Sequence, residues 1–311
     1  MQFPAFLIAL LTGLSAVPQA LAEAPQEQTR ERILPFSFTQ DTPCFDNGGE
    51  SPQDSESFAT PGSVLGFVAA TGGACHGLSR WVAISRQNLR YECRGELPAP
   101  STASYGRTLR RAAHLWELGC QNRLPLRGYC HLRDACRRAP HAFRNLVVDL
   151  NATGTIERGL KSLLQTLTGL QTDPHISARN TFDVTLEILH EIDAGRYPIL
   201  YRFTRGDSTF GHILVAYGYK FETFNSIPGF PAIWQATLHL YDPNHRNSSI
   251  QQTVHLEPSQ RTGVSREGGE LLSDLLLPWK REGGTFPPAE CDRLVRQWER
   301  EDRDASTWAP F

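Results

Sequence analysis

Leu189-His190-Glu191-Ile192-Asp193-Ala194-Gly195-Arg196-Tyr197-Pro198-Ile199-Leu200-Tyr201-Arg202-Phe203 is the stretch where the chain changes its period. Before it, Phe182, Leu186, Leu189 and Ile192 or Ala194 recur at helical spacing, which predicts a helix over 181–194. Gly195 interrupts that pattern. From Tyr197 to Phe203 the run is rich in Ile, Tyr and Phe and reads as a strand.

From Gly77 to this point the pattern is mainly helical, and beyond it mainly extended. Upstream, Leu78, Trp81, Val82 and Leu89 lie along one face of a helix that begins at Cys75. Leu109, Ala112, Ala113, Leu115, Trp116 and Leu118 mark a second helix within 104–120, and a third is expected around 134–147. The clearest periodicity, Ile156, Leu160, Leu163, Leu164, Leu167 and Leu170, predicts a helix over 155–170. Downstream, strands are expected at 212–220, Trp234 to Tyr241 and Ile250 to Leu256. Arg205-Gly206-Asp207-Ser208 reads as a turn and Phe221 to Pro231 as a loop. A helix from Pro288 to about Arg300 closes the chain. Before the helices, Phe36-Ser37-Phe38 reads as a short strand and Cys44 to Gly49 as turn chemistry. Helices first and strands second imply an α+β fold, not repeated βαβ units.

The 311 residues suffice for one large domain or two lobes sharing a cleft. The expected organisation is a signal peptide over 1–22, a wrapping segment or propeptide over 23–60, a helical lobe over 61–195, a β lobe over 196–283, and a helix and tail over 284–311. Residues 1–22 carry no charge, Phe6 to Val17 is mostly apolar, and Ala20-Leu21-Ala22 offers a small-x-small cleavage site. The chain is therefore expected to be secreted or periplasmic. No later run approaches the ~20 apolar residues of a membrane span, so no stable membrane insertion is expected. Lys plus Arg (31) nearly balance Asp plus Glu (33), and the net charge of −2 argues against a general nucleic-acid binder.

The chain holds seven cysteines. In an oxidising compartment Cys44, Cys93, Cys120, Cys130, Cys136 and Cys291 can form three bridges, and their connectivity is open at this point. Cys75 is then the odd thiol. It lies in Gly72-Gly73-Ala74-Cys75-His76-Gly77, a glycine-rich turn opening a helix, where backbone N–H groups and the helix dipole favour a thiolate. Downstream come Gly211-His212-Ile213-Leu214-Val215-Ala216-Tyr217-Gly218-Tyr219 and Leu240-Tyr241-Asp242-Pro243-Asn244. Thiol, imidazole and carboxylate are the parts of a nucleophilic cysteine site. Cys75 is the candidate nucleophile, His212 the base and Asp242 the residue that orients it, with Asn244 the alternative. His76 is adjacent to the thiol, but helical neighbours diverge by about 100°, so it is expected as a wall or surface residue.

These segments resemble the papain-like cysteine peptidase superfamily, most of all its bacteriocin-leader-peptidase-like branch. The likeness rests on Gly-Gly-x-Cys-x-Gly opening a helix, the Gly-His-x-x-Val-x-x-Gly-Tyr strand and the strand ending in Tyr-Asp-Pro-Asn. It covers mainly residues 70–85 and 186–245. It implies a helical lobe bearing Cys75, packed on an antiparallel β lobe bearing His212 and Asp242, with a peptide or protein as substrate and no cofactor or metal. It also implies an oxyanion-hole Gln shortly before the cysteine, yet positions 66–74 hold neither Gln nor Asn. Asn47 and Gln53, further upstream, are the candidates for that role. The rival reading is a binding or adhesion module on the same scaffold, with Cys75 bridged or idle.

Other signals are subordinate. Cys130, His131, Cys136 and His141 could be drawn as a zinc site, but bridges suit a secreted chain better. Arg205-Gly206-Asp207 is explained as a turn without an adhesion role. Asn151-Ala152-Thr153 and Asn247-Ser248-Ser249 are glycosylation sequons. His190-Glu191 lacks the second histidine of a metalloprotease helix.

Overall fold

The computed structural model describes residues 28–44, 75–93, 102–139, 143, 147, 174–204, 207–224, 233–244, 249–265, 270–276 and 285–307. The expected signal peptide, the helix over 155–170, Asn47, Gln53, His141, both sequon asparagines and Arg205-Gly206 lie outside them. The elements in chain order are β1 (Gln28–Ile33), α1 (Cys75–Asn88), β2 (Leu89–Glu92), α2 (Thr102–Glu117), β3 (Leu124–Arg127), α3 (Leu132–Arg138) and α4 (Pro174–Asp193). Then come β4 (Ile199–Thr204), β5 (Asp207–Phe224), β6 (Ile233–Tyr241), β7 (Ser249–Glu257), β8 (Thr262–Ser265), β9 (Glu270–Leu276) and α5 (Pro288–Thr307). The fold is α+β with an antiparallel sheet.

The change of period at Gly195 is a helix cap. Gly195 adopts φ 78°, its N–H donates to Ile192 O at 2.9 Å, and the Arg196 N–H donates to Glu191 O at 2.9 Å. This Schellman arrangement satisfies carbonyls that the helix would leave unpaired, and it needs a left-handed residue that glycine supplies without strain. The buried Arg196–Glu191 ion pair ties the turn back onto α4. Gly119 ends α2 in the same way, with φ 71° and the Cys120 N–H donating to Leu115 O.

Seven strands form one sheet in the order β8-β7-β6-β5-β4-β9, with β1 also paired to β5. The long β5 organises it. On one edge β5 pairs with β6 from Val215 to Phe224. On the other, β4 pairs with its first part up to Val215, and β1 with its last part from Gly218 to Thr223. β1 and β4 therefore lie end to end along the same edge. Ile213, Leu214, Val215 and Ala216 are all fully buried, so both faces of β5 are covered there. α4 packs on the sheet through Phe182, which stacks on Trp234.

α1 is enclosed on all sides, and every residue except Arg86 is buried. Polar side chains inside it need partners. Asn88 Nδ2 donates to Cys120 O and Asn122 O, Arg80 pairs with Glu117 and lies over the Trp116 ring, and Arg86 reaches Asp41 and Pro35 O.

Three disulfides join Cys44 to Cys136, Cys93 to Cys130, and Cys120 to Cys291. Two of these consume Cys130 and Cys136, so the cysteines of the drawn zinc site are bridged. Among the described residues no helix is long and apolar enough to cross a membrane.

The structure departs from the sequence reading at four places. Phe36-Ser37-Phe38 is not a strand. Its two rings turn inward onto Tyr217 and Tyr241, and Ser37 N–H is capped by the Asp41 carboxylate, so tertiary packing overrides the aromatic strand signal. The strand in that segment is instead Gln28–Ile33, wholly exposed and polar but for Ile33. The helical stretch also contains a parallel pair, β2 with β3, too short to show a period. Finally, β5 continues to Phe224, so the segment expected as a loop from Phe221 begins as strand.

Candidate functional site

Cys75 is the first residue of α1, and the sequence from there runs inward under the sheet. Its side chain is 2% exposed and is the one cysteine outside the three bridges. It sits at the amino end of a 14-residue helix, where the positive pole of the dipole favours a thiolate.

His212 stands near the start of β5, opposite Arg202 of β4. Asp242 follows the last residue of β6. The Val215–Tyr241 pairing, continued by one residue, places Asp242 opposite Leu214 and therefore on the same face as His212. The contact results directly: His212 Nε2 lies 2.5 Å from Asp242 Oδ1. That oxygen also accepts the Asn244 N–H at 2.7 Å, an Asx turn that fixes the carboxylate from behind. Asn244 thus enters through its backbone, and the carboxylate at the imidazole is that of Asp242.

Nε2 faces Asp242, and Cys75 is near enough to act on the imidazole as well. Burial by itself would lower the His212 pKa. The Asp242 bond and charge and the Cys75 contact outweigh it and push the value up to about 9. The imidazole is therefore held protonated well above its ordinary range.

No family model, curated protein or solved structure matches the chain. The assignment of chemistry accordingly rests on these three side chains.

The structure brings Cys75, His212 and Asp242 together from an α1 terminus, a strand start and a strand end. His76 is fully buried, so the surface alternative is corrected. Sequence reasoning passed over Ser79. It lies outside the apolar stripe and one turn along α1 from Cys75, and its hydroxyl donates to Ile213 O at 3.2 Å. That spacing of four from the nucleophile was the only signal available.

Proposed function

We propose that this protein is a papain-like thiol hydrolase that cleaves peptide or other amide bonds. The observation that carries the reading is the meeting of a helix-terminal thiol, a partly buried imidazole and a carboxylate anchored by its own turn. The thiolate of Cys75 attacks the substrate carbonyl carbon and forms the C–S bond. The backbone N–H of Cys75 at the helix terminus holds the developing oxyanion. The imidazolium of His212 gives its proton to the leaving amine as the C–N bond breaks. His212 then takes a proton from water, the hydroxide attacks the thioester carbonyl, the C–S bond breaks to release the Cys75 thiolate, and the acid product leaves. Asp242 keeps one tautomer throughout. Signal-directed secretion completes the reading, and three disulfides suit an oxidising compartment.

Thiol accounting separates this from a module in which Cys75 is bridged, because the six other cysteines pair with one another. The test is iodoacetamide labelling of the native protein from pH 5 to 9, with the modified residue mapped by mass spectrometry, beside His212→Ala. The reading expects selective labelling of Cys75 well below pH 8, lost in the variant. Labelling only above pH 8, independent of His212, would leave a non-catalytic module.

A further inference from the structure

We infer that Ser79 is a positioning residue that sets the distance between the nucleophile helix and the histidine strand. The inference rests on the hydrolase reading above and adds a residue to it.

In β5 the Ala216 N–H points to β4, where it meets Pro198 O at 2.9 Å. Backbone groups alternate along a strand, so those of Ile213 and Val215 point to the opposite edge. Val215 finds β6 there, through Tyr241. Ile213 lies beyond the end of β6, since the chain has already turned at Asp242 to build the site. The carbonyl of a fully buried residue is thereby left without a strand partner, a costly state. Ser79 supplies the missing donor from α1.

A serine inside a helix ordinarily turns its hydroxyl back to the carbonyl four residues earlier. Thr185 does so in α4, donating to Thr181 O at 2.6 Å. For Ser79 the corresponding carbonyl belongs to Cys75. Its hydroxyl instead crosses to the peptide that follows His212. The bond thus joins the turn after the nucleophile to the residue after the base. At its other end α1 is held by Arg86, bonded to Asp41 and Pro35 O. Arg80 and Asn88 hold the helix further along, and the Ser79 bond ties it to the strand that carries His212. Without it the strand edge at Ile213 is free to draw back, and the imidazole moves with it.

The experiment compares wild type with Ser79→Ala, Ser79→Thr and Ser79→Val. Two quantities are read: the iodoacetamide rate constant at Cys75 from pH 5 to 9, and the His212 imidazole titration by NMR. Thr185→Ala controls for loss of a buried helical hydroxyl far from the site. We expect Ser79→Ala and Ser79→Val to slow labelling at pH 6 by about 10- to 100-fold, as a small misplacement of a catalytic pair does. The His212 titration should move down toward its ordinary value. Ser79→Thr should stay close to wild type, and Thr185→Ala should be unchanged. Threonine and valine are matched in size, so their comparison decides the matter even if the alanine variant does not fold. His212-dependent labelling that is the same in the threonine and valine variants overturns the role of Ser79 alone. Wild-type labelling that ignores His212 overturns the hydrolase reading and this inference together.

Discussion

An imidazole as buried as that of His212 should surrender its proton early, yet Asp242 and Cys75 hold it to about pH 9. Asp242 can do this because Oδ1 is fixed by the Asn244 N–H and cannot swing away. Asp242→Asn keeps the shape and removes the charge. On the proposed hydrolase reading, the alkaline limb of kcat/KM on a peptide substrate should then shift from about 9 to lower pH, with a loss in kcat of about 10²-fold. The same shift has a stability consequence. The folded-state pKa is raised above the ordinary 6.5, so the folded protein holds more protons than the unfolded chain between those values. The stabilisation is complete below about 6.5 and is lost as pH rises through about 9. Urea melts of wild type should show stability falling across that window, and Asp242→Asn should flatten the fall.

At the scale of elements, tolerance to change is set by how closely pieces approach. Gly263 of β8 lies under α4: a Cβ added there would be 2.9 Å from Phe182 N and 3.0 Å from Thr181 Cγ2. One contact is backbone, so the helix must lift. Gly263→Ala should cost about 1–3 kcal/mol in urea unfolding, with Cys75 labelling retained in the folded protein. The elements that build the site were the legible ones. Cys75 opens α1, His212 lies near the start of a continuous apolar strand, and Asp242 ends another, because helical and alternating periods survive in single stretches. What escaped has local reasons. β1 is polar and exposed and draws its place from register with β5, which no window of its own sequence contains. β2 and β3 have four residues each, less than a period can show. Ser79 acts through a carbonyl exposed only by where β6 stops.

The whole molecule is drawn together by bonds between distant parts of the chain. Cys120–Cys291 spans 171 residues and docks α5 on the end of α2. Arg111 assists it, bonding Glu301 and Asp302 while lying over Trp298. Replacing Cys120 and Cys291 together by alanine should lower stability by about 3–5 kcal/mol in non-reducing denaturant titrations, the range expected when so long a loop is opened. Cys44–Cys136 works similarly at the other end. It holds the segment that supplies β1, the Phe36 and Phe38 rings and the Asp41 partner of Arg86.

The loops closed by these two bridges overlap between Cys120 and Cys136. Every peptide bond from Cys44 to Cys291 therefore lies inside at least one of them. A single protease nick anywhere in that span would liberate no fragment: the clipped protein would run as one band on a non-reducing gel and fall into two only after dithiothreitol. Wherever proteases are abundant, one cut would leave the broken chain still tethered to its thiol.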